Sequence, residues 1–233
     1  MTHASVTDVS TRSQFNPLTD LSPSELAIVY ADQFLRTSAN PYPEDVRVPL
    51  CGRFAEAGPL AFYPMVTALG ALLQAGVLTV RTEKERLLRF WSVDVVTILR
   101  NRDVTVAWPA GSPEQRCVDW LETGNRDETT VEAIMRDVLA EFAFNPPGRA
   151  TVDVLTRGLV DRGIVVKQSR KIFHVLSVGE LHVSDTHRAA LDAVAPADVK
   201  KVLQCRRFIR PAERAACLEY WNLQVRLQRQ DSA

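Results

Sequence analysis

The sequence predicts a mainly α-helical fold, a single helical domain around a central buried helix with β-hairpins at its periphery, and three observations carry that prediction. The stretch Phe62 to Ala75 is rich in Ala, Leu and Met on nearly every side, so it has no polar face for water and belongs inside a core. Twice the chain runs from a helical segment through a glycine into two apolar runs around a polar stretch: LLQAG, VLTV, RTEKER, LLRFWSV, and later LVDRG, IVVKQ, SRK, IFHVLSV. Elsewhere apolar residues recur at the spacing of amphipathic helices. With 233 residues, 46% hydrophobic and 24% charged, the chain can bury one sizeable core.

Residues 1–20 are polar and rich in Ser and Thr, lack an apolar run of signal-peptide length, and read as a flexible tail. Folding is expected to begin at Leu21-Ser22-Pro23-Ser24-Glu25, where Ser22 caps a helix, Pro23 fits its first position and Glu25 lies near the positive end of the dipole. Leu26, Val29, Tyr30, Gln33 and Phe34 form its buried stripe, which ends before Asn40-Pro41. Tyr42 to Gly58, broken by Pro43 and Pro49, reads as a loop or short extended piece.

Gly76 stops the central helix, since glycine accepts the left-handed conformation of a helix end. VLTV and LLRFWSV then read as a hairpin turning at RTEKER. Cys117 to Glu122 and Thr129 to Phe142 read as helices, the second starting at Thr129 or Thr130 with Glu132. Arg149 to Arg162 is a further helix stopped by Gly163, with a second hairpin after it. Thr186 to Ala233 reads as helical, punctuated by Pro196 and Pro211. The two helix–glycine–hairpin units are an internal echo, short of a repeat array.

Equal numbers of basic and acidic residues, 28 each, leave no global field for nucleic acid or an anionic membrane, so such a partner must meet a local patch. No window holds the roughly 18 uninterrupted apolar residues of a spanning helix. Cys51, Cys117, Cys205 and Cys217 have no CxxC pairing and read as reduced, buried thiols, with a Cys205–Cys217 pair as the alternative. No phosphate loop, nucleophile elbow or HExxH pair is present, so an enzyme is the least supported class and no cofactor is expected. His174, His182 and His187, with Asp185, fit no metal-ligand spacing, and no metal is expected.

Charge is distributed in blocks. Basic clusters comprise Arg149, Arg157, Arg162, Lys167, Arg170 and Lys171, then Lys200, Lys201, Arg206, Arg207, Arg210 and Arg214. An acidic belt of Asp119, Glu122, Asp127, Glu128, Glu132, Asp137 and Glu141 balances them. Either these are solvated helix faces with weak surface ion pairs, or one positive face meets phosphate groups on a surface.

The order LSPSELAIVYADQF, LLQAGVL, CVDWL, then RDVLAEFAFNPPGRATVDVLTRGLVDRGIVVKQSRKIFHVLSV and SDTHRAALDAV resembles the Golgi phosphoprotein 3 family from about Leu21 to Val194, most closely in LTRGLVDRGIVVKQSRKIFHVL. The resemblance implies one domain over residues 21–233, a helical body that docks peripherally on membranes from the cytoplasm, as an adaptor for client proteins. Eukaryotic members bind phosphatidylinositol 4-phosphate. The family's headgroup pocket uses a Trp, an Arg in the central helix and two Arg residues three apart before the stop glycine. Aligned on the glycines, these fall on Glu56, Met65, Arg149 and Val152, so Arg149 alone matches, with Arg157 and Arg53 as the basic side chains that would supply the missing contacts. The family's membrane-touching and self-associating hairpin falls on KQSRKIF, giving Lys167, Arg170 and Lys171 to headgroups and Ile172 and Phe173 to acyl chains, to a second copy, or to the domain's own core.

The competing classes are a winged-helix nucleic-acid binder, with Arg149 to Arg162 as recognition helix and KQSRKIF as wing, and a plain interaction scaffold using the acidic belt or the C-terminal helix. Asp153 and Asp161 on the would-be recognition helix, and the neutral whole, count against nucleic acid.

Overall fold

The structure, a computed structural model, describes residues 15–42, 45–88, 91–139, 147–172, 176–211 and 213–219, with 85–88, 91–94, 139, 147, 170–172 and 176–178 described through their backbone only. Helices and small antiparallel sheets alternate in the order α1 (Pro17–Asp20), α2 (Pro23–Val29), β1 (Asp45–Arg47), β2 (Phe54–Glu56), α3 (Ala57–Gln74), β3 (Leu78–Leu88), β4 (Trp91–Arg100), α4 (Pro113–Thr123), β5 (Glu128–Thr130), α5 (Val131–Ile134), α6 (Pro147–Asp161), β6 (Val165–Ile172), β7 (Leu176–Val183), α7 (Asp185–Asp192) and α8 (Pro196–Val202). Short 3-10 turns, Ala31–Gln33 and Leu203–Phe208, follow α2 and α8, and a π-helical turn, Met135–Leu139, extends α5. The architecture is therefore mixed helix and sheet, which corrects the mainly α expectation. The sheets pair β1 with β2, β3 with β4 and β5, and β6 with β7, all antiparallel.

Helix α3 is the buried one. Met65, Ala61, Ala68 and Leu72 have no exposed surface, and α2, α6 and the 3-10 turn Leu203–Phe208 all pack on it. It begins at Ala57, earlier than the expected Phe62, and contains Pro64. α3 is long and apolar enough to cross a membrane by length and mean hydropathy alone, though Thr67 and Gln74 interrupt its apolar run and 67% of it is buried inside the fold. Glycines set how closely its neighbours approach. A Cβ on Gly70 would lie 2.6 Å from the carbonyl oxygen of Cys205, so the 3-10 turn crosses α3 at backbone contact.

Both stop glycines adopt the left-handed conformation, Gly76 at φ 74° and Gly163 at φ 68°. At Gly163 the cap is complete: the Gly163 amide donates to the Val160 carbonyl at 2.9 Å and the Ile164 amide to the Leu159 carbonyl at 2.9 Å, a Schellman pair. A hairpin follows each glycine, so the echo in sequence is an echo in structure. The turns, however, lie farther out than expected. RTEKER is strand within β3 and most of KQSRKIF is strand within β6, while residues 89–90 and 173–175, between the paired strands, are outside the described residues.

Other boundaries moved too. α1 lies within the segment read as a tail, capped by the Asn16 side chain. The stripe of the first helix is split, α2 ending at Val29 and a 3-10 turn carrying Gln33. Thr129 pairs with Ile98 in β5, and Thr130 caps α5 by accepting from the Ala133 amide. The expected helix continues from α5 into the π-turn, with residues 140–142 outside the described residues, and Arg116 of α4 donates to the carbonyls of Val138 in that turn at 2.7 Å and of Val154 in α6 at 3.1 Å.

Helix α6 meets the loop before α4 at a glycine pair, since a Cβ on Gly158 would lie 2.5 Å from the carbonyl carbon and oxygen of Gly111. In an open helix Gly→Ala stabilises by about 1 kcal/mol. Here the clash is with backbone, so Gly158→Ala and Gly70→Ala are each expected to lose about 1–3 kcal/mol, as overpacking does. Gly179→Ala, with nothing within 4 Å, is expected to lose nothing. Urea midpoints decide: stabilisation at Gly70 or Gly158 would show that those backbones do not touch.

Candidate functional site: the joined starts of α3 and α6

Two helix starts meet on one side of the molecule. Strand β2 runs directly into α3, and Glu56 at its N-cap makes no side-chain capping bond. A Cβ on Gly148, in the first turn of α6, would lie 2.8 Å from both the carbonyl carbon and the Cβ of Ala57 and 2.9 Å from the Gly58 nitrogen. Only glycine allows that approach. The early amides of a helix have no intrahelical carbonyl to bond, and Ala57, Gly58, Gly148 and Arg149 belong to the two first turns that touch here; Pro59 and Pro147 carry no amide hydrogen. Each helix start also carries about half a positive charge.

Arg149 stands at this junction, partly buried, and makes no hydrogen bond or ion pair among the described residues. Its expected helpers do not converge on it. Arg157 is two turns farther along α6, about 12 Å by helix rise, and lies exposed between Asp153 and Asp161. Arg53 precedes β2 and donates to the Thr37 carbonyl at 2.9 Å. Met65 and Val152, which the resemblance aligns with two headgroup arginines, are buried in the core at 0% and 1% exposure. The positions that the resemblance aligns with those arginines therefore hold buried apolar side chains, and Glu56 adds an exposed negative charge beside the start of α3.

The hairpin offers less free charge than expected. Lys167 is paired with Asp153 of α6 at 2.9 Å. Arg170, Lys171 and Ile172 are described only as β6 backbone, and Phe173 and His174 lie outside the described residues. On the other face of this hairpin Glu180 holds Arg47 of β1 at 2.9 Å, with His182 3.4 Å from the same carboxylate. The acidic belt is largely neutralised by its own arginines: Glu122 by Arg100, Asp127 by Arg102, Glu128 by Arg81 and Asp137 by Arg136. Glu141 is outside the described residues. Lys200, Lys201, Arg207 and Arg214 are exposed and meet no acidic side chain among the described residues.

All four cysteines are free thiols, so Cys205 and Cys217 do not pair. Burial pushes both up to about 12, which leaves them protonated and unreactive. Among the described residues no group of three or more His, Cys, Asp or Glu side chains is placed to hold a metal.

A buried polar knot escaped the sequence reading except at its first link. Ser22 and Glu25 form a capping box at the start of α2. The Ser24 amide and hydroxyl donate to the Glu114 carboxylate of α4 at 2.9 and 2.6 Å. Arg162, just past α6, binds Glu25 and donates to the carbonyls of Gly158 and Asp20 at 3.0 and 2.9 Å. Ser22-x-x-Glu25 was visible in sequence; nothing there could link it to residues 90 and 137 positions away.

Compared with protein-family models, with curated proteins and with solved structures, the chain matches none.

Burial, only partly offset by Arg162 and the Ser22 amide, pushes the Glu25 carboxyl up to about 7. A raised carboxyl favours the fold when protonated. Its contribution is complete below about pH 4.5 and is lost as pH rises through about 7. The wild-type stability read from urea unfolding is therefore expected to fall between pH 5 and 7.5 relative to that of Glu25→Gln, by up to about 3 kcal/mol. Parallel pH profiles for the two proteins would show that Glu25 is not destabilised by burial.

Proposed function

We propose that this chain is a non-catalytic peripheral membrane adaptor, a divergent protein of the Golgi phosphoprotein 3 type whose residues 21–233 act as one domain of mixed helix and sheet on the cytoplasmic side. The single observation that carries the lipid reading is the junction of the α3 and α6 starts, where Gly148 lies against Ala57 and Gly58 and Arg149 has no hydrogen bond or ion pair among the described residues. A helix start is suited to phosphate because its amides point at the anion and its dipole favours negative charge. The order of elements, with two helix–glycine–hairpin units, supports the family assignment.

The nucleic-acid alternative is disfavoured by α6 itself. Thr151, Val152, Val154, Leu155, Thr156 and Leu159 are buried, and the exposed positions from Thr151 onward are Asp153, Arg157 and Asp161. A helix that gives the core its long side and shows water two carboxylates to one guanidinium is a poor reader of a polyanion.

With Met65 and Val152 buried, the junction lacks the convergent arginines that would grip a phosphomonoester. Binding is expected to follow surface charge and ignore headgroup. Vesicles of matched charge made with phosphatidylglycerol, phosphatidylserine or phosphatidylinositol 4-phosphate should co-sediment within about threefold of one another, less than 1 kcal/mol. Arg149→Ala should weaken all three by about 1 kcal/mol. Absence of binding to any anionic vesicle would refute the lipid reading. A tenfold phosphoinositide preference that disappears in Arg149→Ala would show a selective pocket in place of a charged pole.

A further inference from the structure

The carboxyl end of α3 opens into a surface groove of about 630 Å³. Its apolar wall is made by Leu18, Val202 and Phe208, its charged groups are Lys201, Arg207 and the single carboxylate Asp198, and Gln74 of α3 also lines it. Phe208 is 52% exposed, unusual for a large ring. The groove lies a helix length from the α3–α6 junction, about 27 Å for the 18 residues of α3, so a membrane at one end leaves the other accessible.

We propose that this groove takes an acidic amphipathic segment of a partner protein, whose apolar side chains fill the wall beside Phe208 and whose carboxylates meet Lys201 and Arg207. The inference rests on the adaptor reading and names the chemistry of the client. Charge complementarity selects the occupant, because Lys201 and Arg207 have no acidic partner among the described residues and the exposed Lys200 adds to the same sign. The chain's own candidates are ill matched. Its acidic belt is engaged by Arg81, Arg100, Arg102 and Arg136, which disfavours a second copy. Residues 220–233 carry Arg226 and Arg229 against Asp231, and residues 1–14 carry only Asp8 against Arg12. Concavity disfavours a bilayer: Leu18 and Val202 are partly buried and a flat surface would reach Phe208 without them. Apolar anchors at helical spacing with charged flanks are the ordinary way a segment fills such a groove.

The test is selection of a random 12-residue peptide library on the full chain, followed by anisotropy titration of fluorescent copies of the selected peptides. Enrichment of Asp and Glu around Leu, Phe or Met at i, i+3 and i+4 is expected. Binding of those peptides should weaken at least tenfold in Lys201→Glu/Arg207→Glu and in Phe208→Ser, and stay within twofold in Arg149→Ala. The milder Lys201→Gln/Arg207→Gln pair, with an unchanged melting temperature, guards against a folding defect. No selected peptide, selected peptides without acidic residues, or equal affinity for the groove variants would overturn the proposal. So would loss of phosphatidylglycerol vesicle binding in Lys201→Glu/Arg207→Glu with Arg149→Ala unaffected, since the groove would then be a lipid surface. Selected acidic peptides that bind at the groove while no vesicle binds would sink the membrane reading and leave the groove assignment standing.

Discussion

Helix α3 has no polar face, and the rest of the fold answers that constraint. An apolar cylinder must be covered on every side, and α2, α6 and the turn after α8 cover this one. Backbones can come close only where side chains are missing, so Gly70 and Gly148 fix where the neighbours cross. Along α3 solvent reaches Gly58, Pro59, Phe62 and Tyr63 in part toward its start, and Leu73 and Gln74 at its carboxyl end. The start meets the start of α6 beside Arg149, which has no ion pair among the described residues, and the carboxyl end opens into a groove edged by Lys201 and Arg207. The functional proposal is therefore a consequence of burial: the sides of the helix are used for packing and its ends are available for partners.

The second constraint is polar. Taking Glu25 and Glu114 out of water costs free energy unless their oxygens are bonded, and the structure bonds both with groups the helices need to satisfy anyway. Glu114 accepts from an orphan amide at the start of α2, while Arg162 uses carbonyls at Gly158 and Asp20 beside its pairing with Glu25. The knot joins α2, α4 and the end of α6 and leaves no choice of register between them. Tyr30 does similar work for α7, donating to the Leu191 carbonyl at 2.7 Å.

Much of this was legible because the signals were local. Ser22 with Pro23 and Glu25 marked the start of α2, and Gly76 and Gly163 marked two helix ends, since each depends on backbone conformation within a few residues. The strands were read short for a physical reason. RTEKER and KQSRK are polar at every position, and Arg81 to Lys84 and Lys167 to Ser169 are exposed, so these stretches show none of the period-two contrast that marks a half-buried strand. Thr129 and Thr130 pair in β5 before the helix because β4 offers an edge that no local pattern announces. At the site, Arg149 was visible as a charge, but its setting depends on Gly148 touching Ala57 across some ninety residues. The aligned positions Met65 and Val152 lack a donor in the sequence itself; only the fold places them in the core.

The central claim is that anionic surfaces are met at the joined starts of α3 and α6, with the groove at the far end left free. Backbone hydrogen exchange with phosphatidylglycerol vesicles present and absent tests it directly. The account predicts slowed exchange on vesicle addition at Ala57, Gly58, Gly148 and Arg149, with no change from Asp198 to Phe208. Protection confined to Asp198–Phe208 or to the β6–β7 hairpin, with the helix starts unaffected, would contradict it.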